Sequence, residues 1–419
     1  MKIIKRLISV TMVCVMLISV TACGGTDRDE EARKLDIETP VTINVWYDNK
    51  DYERYINTVA SGLKAANNLI TVNPVYIEAQ DIIDTLYTET VRNNNAPDVY
   101  LMSAENSDKA YLLGLMLEND SYGDIYNEKI YGKAAIKSAS YKGKLYGYPV
   151  SFDMPVMVYN KKYASSVDSY DEIKQISDNY QITEENQNIT KVFDFDASDM
   201  LINYPYVGRY MDIGGDVSEN ADIFTIDELK FKRALKEYAS LKNTFGIDRN
   251  ESTHDSCLDE FTQNKLLYTI VNTSDLKKID DSGVTYGIIP VPYLSEGLES
   301  VPMSITTLAV VNPYTSDISV AKTVARAISY DYAADMQALS GHVSARADLI
   351  KKGRKADNTD YNMLHDIYSD SIVKAKYVGV QNIYTRYEIL IHQIWDGKSI
   401  DDAYNEFHKG VESFLTSIR

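Results

Sequence analysis

The order of local patterns between residues 41 and 102 constrains this chain more than any other feature. Val41, Ile43, Val45 and Tyr47 alternate with Thr42, Asn44 and Trp46, as on a half-buried strand. Tyr52, Tyr55, Ile56, Val59, Ala60, Leu63 and Ala66 then recur at spacings of three and four, which lays them along one face of a helix ending near Asn67 and Asn68. Residues 71–77 read as a strand, 82–91 as a helix and 98–102 as a strand again. Strands separated by helices return to their sheet through a covering helix, so the pattern predicts an α/β fold with a mostly parallel sheet.

The same grammar continues. Residues 149–160 are strand-like, and helices are expected over 170–179, 200–211 and 229–245. Strands follow over 267–272, 286–291 and 306–311, then a helix over 320–339. Near the end, Ile400, Ala403, Tyr404, Phe407, Val411, Phe414, Leu415 and Ile418 make an apolar helical stripe of the kind that packs in a core. With 419 residues, one core would outgrow the size at which chains usually divide, so two lobes are expected.

The N-terminus has its own logic. Lys2, Lys5 and Arg6 precede an uncharged apolar stretch over 7–20, and no acid occurs before residue 23, which is the pattern of a signal peptide over 1–22. That stretch is too short to span a bilayer, which takes roughly 20 residues. Val20-Thr21-Ala22-Cys23-Gly24 resembles a bacterial lipobox, which implies that Cys23 is lipidated and becomes the new N-terminus. A plain secretory signal cut near Ala22 would leave the cysteine unmodified. The basic start, apolar length and cysteine position together favour the lipoprotein. Cys14 then departs with the signal and Cys23 carries lipid, so Cys257 stands alone as a small buried apolar residue and no intrachain disulfide can form. Residues 24–40 are polar and lack a hydrophobic period. They read as a flexible tether spanning roughly 20–25 Å.

Charge narrows the partners. The 43 Lys and Arg against 61 Asp and Glu give −18, and loss of the signal removes three more cations. Nucleic acid, an anionic membrane face or a polyphosphate would be repelled. The 33 Tyr, against 2 Trp and 9 Phe, suit both packing and contact with hydroxyl-rich ligands.

Signals for catalysis and metal are sparse. His254, His342, His365, His392 and His408 form no H-E-x-x-H. Asp194, Asp196 and Asp199 mimic a calcium loop, but its sixth position is Asp199 rather than Gly and its twelfth is Pro205 rather than Glu. Neither a G-x-S-x-G elbow nor a P-loop occurs, and Gly214-Gly215 is no dinucleotide fingerprint. No metal, cofactor or catalytic residue is expected. A glycoside hydrolase needs only two suitably separated carboxylates, so that alternative stays open, with Glu105 or Asp153 as its acid or nucleophile.

Lys144-Leu145-Tyr146-Gly147-Tyr148-Pro149, running through Asp153 to Val158-Tyr159-Asn160-Lys161, resembles the extracellular solute-binding proteins of ABC importers, in their carbohydrate-binding, maltose-binding-protein-like branch. Pro97-Asp98-Val99, residues 261–268, Tyr286-Gly287 with Pro290-Val291-Pro292, residues 340–348 and Trp395-Asp396-Gly397-Lys398-Ser399 resemble further family segments in the family's order. Asn264 stands where the family has glycine, Ser344 where it has proline, and residues 300–304 where a glycine-rich run is usual. The resemblance implies a two-lobed periplasmic-binding-protein fold, with discontinuous lobes joined by a three-segment hinge. Crossings would fall near 150–155, 304–308 and 342–347. The N-lobe would comprise 41–152 plus 306–343 and the C-lobe 153–305 plus 344–419.

It also implies a function: capture of a carbohydrate, an oligosaccharide above all, for delivery to ABC permease subunits, by a monomer lipid-anchored on the extracellular face of the membrane. A sensor or adhesion module on the same fold is a further alternative. A pyranose offers an apolar C–H face and a rim of hydroxyls, so its site needs aromatic surfaces plus carboxylates or amides. Trp46, Tyr47, Asp48 and Asn49 stand at the carboxyl end of the first strand, where open α/β sheets bind ligands, although Trp46 could equally pack in the core. Glu105 and Asn106 follow the third strand, where a helix N-cap would also account for them. Asp153, at the first crossing, is the favoured ligand contact. Tyr204, Tyr206, Gly215, Asp216 and Tyr384 fall where relatives place stacking and backbone contacts. Tyr387 fits a core stripe, and Arg346 could be a structural ion-pair residue.

Overall fold

The computed structural model describes residues 37–418, apart from 38, 79–80, 94, 215–221 and 352–358. The expected signal segment, Cys23, nearly all of the expected tether, Gly215 and Asp216 lie outside the described residues.

The first sheet begins with β1 (Val41–Tyr47), β2 (Ile70–Tyr76), β3 (Val99–Ser103) and β4 (Gly147–Asp153). After the single residue Met154 the chain enters a second sheet through β5 (Pro155–Asn160), which is joined there by β6 (Lys191–Phe193), β7 (Leu266–Asn272) and β8 (Tyr286–Ile289). β9 (Met303–Val311) and β10 (Val343–Ser344) return to the first sheet, and β11 (Ile372–Val373) pairs with the first two residues of β9. The strand orders are β2-β1-β3-β9-β4-β10 and β8-β5-β7-β6.

The expected parallel sheet is present only in part. β1 runs parallel to β2 and β3, but β9 is antiparallel to β3 and β4, and β10 is antiparallel to β4. In the second sheet β5 is antiparallel to β7 and β8, and only β6 and β7 run parallel. The cause is the route of the chain. β9 enters from the other lobe rather than through a covering helix, so the rule for β-α-β units does not govern its direction.

Helix formation follows the apolar spacing where nothing competes with it. The helix Glu53–Ala66 buries Tyr55, Ile56, Val59 and Leu63 on one face. The helix Tyr170–Asn179 starts at Ser169, whose side chain accepts from the Glu172 N–H. The single helix expected over 320–339 instead breaks into Ile318–Arg326, a wide turn over 327–331, a tight turn over 333–335 and Met336–Ser340. Hydroxyls account for this break. Tyr55 donates to the Ile328 carbonyl (2.5 Å), Tyr131 to that of Ser329 (3.1 Å), and the Ser329 hydroxyl to that of Ala325 (2.9 Å), so side chains take acceptors the regular ladder would use.

Three apolar cores result. One lies under the Glu53–Ala66 and Ile318–Arg326 helices and continues through Val150, Phe152, Val156 and Val158 across the junction of the two sheets. A second fills the other face of the second sheet, beneath helices that include Glu228–Phe245, Gln381–Trp395 and Ile400–Ile418. The third covers the outer face of the first sheet with Trp46, Tyr100, Met102, Leu308 and Val310. Much of the tyrosine excess goes into these cores: Tyr55, Tyr100, Tyr131, Tyr238 and Tyr268 are buried, each donating its hydroxyl to a backbone carbonyl. Cys257 is buried as expected, and its thiol is pushed up by desolvation. Among the described residues no helix is long and apolar enough to cross a membrane.

Candidate ligand-binding site

Two groups of polar side chains meet where the lobes adjoin. The first contains three of the sequence-predicted residues. Glu105 lies in the tight turn Ala104–Asn106, directly beyond the carboxyl end of β3. Its carboxylate pairs with Lys374, whose ammonium stands 5.3 Å from the centroid of the Tyr384 ring. Tyr384 comes from the helix Gln381–Trp395 of the second lobe, and its ring meets that of Tyr204 at 6.2 Å and 62°. The Tyr384 hydroxyl accepts the Ala375 N–H at 2.9 Å, which fixes the ring. Tyr204 and Tyr384, with Met211, Asp212, Asp227 and Lys230, line a cavity of about 350 Å³, a volume within the usual small-molecule range. The two rings belong to the second apolar core and are 2% and 1% exposed, so they form part of the cavity wall while presenting little ring surface to it.

The second group surrounds Asp153, the last residue of β4. Its Oδ1 accepts from the Thr273 hydroxyl (2.9 Å) and the Ser274 N–H (3.0 Å), and its Oδ2 from the Ser274 hydroxyl (2.9 Å). Desolvation pushes this carboxyl up, and those hydrogen bonds pull it partway back. Asp153 thereby ties the first crossing to the turn after β7. Nearby, His342 stacks on Tyr52 at 4.7 Å and 15°, with Nε2 at 3.4 Å from the Asn49 amide nitrogen and 3.6 Å from Asp51 Oδ2. Burial pulls this imidazole down, while the Asp153 and Asp51 charges oppose the shift. Gly341, with φ at 80°, closes the preceding helix in a left-handed conformation that a side chain would strain. Tyr52 completes the group, its hydroxyl 2.6 Å from that of Ser151 and 3.1 Å from that of Thr307.

The remaining predicted residues lie apart from these groups. Trp46 packs against Ile82, Ile83 and Leu86 in the third core, and Tyr47 is buried in the first, 5.9 Å from the Tyr76 ring. Neither presents a ring face to the cavity, because alternation along β1 turns both into apolar layers. Tyr206 is likewise a core residue, its hydroxyl bonded to that of Tyr170 and its ring 5.6 Å from Tyr238. Asp48 is exposed. Asn106 precedes the helix Ser107–Leu112 without a side-chain cap bond. Arg346 is structural: it pairs with Asp348 at 2.6 Å, donates to the Tyr330 carbonyl at 2.9 Å and stacks over the Tyr330 ring at 3.6 Å. The calcium-like acids also have ordinary roles. Asp194 holds Lys191 and Ser252, Asp196 accepts from the His254 N–H, and Asp199 caps the helix Met200–Val207.

Sequence reasoning missed Lys374, Asp51, Tyr52 and His342 as members of these groups. Lys374 had a signal: with Lys376 it places cations at alternate positions of the otherwise apolar run Val373, Ala375, Tyr377.

Two sheets joined by a short crossing, with a polar and aromatic cavity in the second lobe close to the Glu105–Lys374 contact, are the architecture of a protein able to hold a small solute. Residues 58–358 match the family described as bacterial extracellular solute-binding protein, and the chain belongs to that family. It is 20% identical to the maltodextrin-binding protein MdxE of Bacillus subtilis (strain 168), over 98% of this chain and 99% of that one. Among solved structures it resembles a cyclo/maltodextrin-binding protein complexed with maltotetraose, with a TM-score of 0.75 at 14% identity, covering 92% of this chain and all of that one. It also resembles the maltose-binding periplasmic protein MalE of Listeria monocytogenes in complex with maltose, with a TM-score of 0.74 at 17% identity over 90% of this chain and 98% of that one. At these identities the likeness establishes a shared two-lobed fold.

Proposed function

We propose that this protein is the external receptor of an ABC importer, capturing a carbohydrate in the cleft and handing it intact to the permease. The observation that carries the reading is a contact between lobes: Glu105, from the first, pairs with Lys374 over the Tyr384 ring of the second, where Tyr384 and Tyr204 stand in the wall of a cavity. A carboxylate accepts hydrogen bonds from hydroxyls and an aromatic ring covers a C–H face, so together they match a pyranose. The named relatives bind maltodextrins and maltose, which supports an oligosaccharide of glucose as the first solute to test.

In this reading residues 41–152 plus 306–343 and residues 153–305 plus 344–419 move as two bodies. Asn49 and Asp153 stand near the closing edges, and lipid on Cys23 holds the monomer to the outer face of the membrane. The chain acts without a cofactor and without cleaving its ligand. A thermal-shift titration with maltotetraose tests the proposal: at 100 times its dissociation constant the sugar should stabilise the fold by about 2.7 kcal/mol. Chromatography of the same mixture should return the tetrasaccharide whole. Shorter products would favour a hydrolase, and the absence of any shift across a panel of neutral sugars would overturn the carbohydrate reading.

A further inference from the structure

The stretch from β11 to Tyr377 is built as a strap between the lobes. Ala375 and Tyr377 are buried in the apolar core of the second lobe, and the Ala375 N–H is held by the Tyr384 hydroxyl. The alternate residues reach the other way. Lys374 pairs with Glu105, beyond the end of β3. Lys376, 3% exposed, donates to the carbonyls of Lys137 (2.8 Å), Ser138 (3.0 Å) and Ser140, at the end of the helix Lys133–Ala139, which packs on β4 and β9 of the first lobe. An extended segment has period two, so one side of this strap is apolar and set in one lobe while the other carries two ammonium groups into its neighbour. The strap is separate from the two passages the chain makes between the sheets, at Met154 and between β8 and β9.

The two cations differ in their setting. Lys376 lies in a fixed socket of carbonyls at a helix C-terminus, where the backbone dipoles favour a positive charge. Lys374 lies over the Tyr384 ring, and both residues beside it, Val373 and Ala375, line the 350 Å³ cavity. Its partner Glu105 is one-third exposed on a turn, whereas the Lys374 side chain is only 12% exposed. Parting the lobes would separate an ammonium and a carboxylate that share a charge-assisted hydrogen bond, so the pair opposes opening by as much as that bond outweighs the rehydration of both groups.

We infer that Lys374 is a positioning residue: its pair with Glu105 draws the lobes together over the Tyr384 ring before any solute arrives, so the unliganded protein is already biased toward closure. A receptor biased in this way spends less of its binding free energy on closing, which raises its apparent affinity. The inference concerns the same cleft as the proposed function and holds whatever the solute is.

Small-angle scattering of the unliganded protein decides it. Lys374→Met and Glu105→Gln should each give a larger radius of gyration than the wild type. The double variant should be no larger than either single one, and Lys374→Arg should restore the wild-type value. If Lys374→Met fails to fold by circular dichroism, Glu105→Gln carries the test, because that side chain sits on a turn and is partly solvated. Equal radii in the folded variants, with or without a lower melting temperature, would make the pair merely structural and overturn the inference. No sugar enters the measurement, so failure of the carbohydrate reading would leave this result standing, and the converse also holds.

Discussion

Asp153 ends the strand that hands the chain from one sheet to the other, and Thr273 and Ser274 already engage both of its oxygens. Asp153→Asn keeps the shape but turns one acceptor into a donor facing donors. It should therefore lower the stability of the unliganded protein by about 1–3 kcal/mol in a urea titration. An unchanged midpoint would show that the carboxylate is held for the ligand alone. His365 makes a pH prediction. It is 9% exposed, with its ring 5.5 Å from Phe152, and burial pulls it down to about 4 from an ordinary 6.5. Below pH 6.5 the unfolded chain takes up a proton that the folded one refuses until about pH 4. Stability is then full above 6.5 and falls across that window, by roughly 3 kcal/mol at 1.36 kcal/mol per unit. His365→Leu should flatten this acid slope in melting curves at several pH values; an unaltered slope would place the effect on other groups. Legibility at this scale was uneven. Glu105 could be found because it follows a strand end that the alternation marks, and Tyr384 because the family resemblance places it. The meaning of Lys374 depends on a carboxylate 269 positions away, for which no local pattern exists.

Among elements, the ones legible in the sequence were those whose packing face is written in their own spacing. The Glu53–Ala66 stripe and the Tyr170–Asn179 helix appear where the periodicity puts them. Strand direction was not legible, since β9 pairs with β3 and β4 across long separations and hydrophobic alternation is the same for either direction. The break after Arg326 also depends on partners distant in sequence, because the hydroxyls of Tyr55 and Tyr131 make it. Ser329 is the local contributor, its hydroxyl lying 2.8 Å from that of Tyr126. Ser329→Ala should leave the Tyr126 hydroxyl unpaired in the core and cost about 1–2 kcal/mol by chemical denaturation. A neutral result would mean that Tyr126 finds another acceptor.

For the molecule as a whole, the expected act is closure. Saturating maltotetraose should make the particle more compact by small-angle scattering, since contacts to both lobes exist together only when the cleft is shut. Identical curves at a concentration that shifts the melting temperature would show that the sugar binds one lobe alone. If Cys23 carries the proposed lipid, Cys23→Ala should leave the protein soluble or unprocessed, because acyl chains and not a strongly acidic surface would then make the attachment. Retention after a salt wash would refute the lipid anchor. The strand order of the first sheet has one more consequence, for how the chain is made. β9 lies between β3 and β4 but begins 150 residues after β4 ends. At roughly 5–20 residues per second, synthesis leaves that slot vacant for about 8–30 seconds. The nascent chain cannot seal its first sheet in that interval, and β3 and β4 keep unpaired edges that would aggregate if left exposed. Delay of this kind would suit a polypeptide threaded unfolded across a membrane, because β9 and, later still, β10 reach the sheet only after its first four strands have passed.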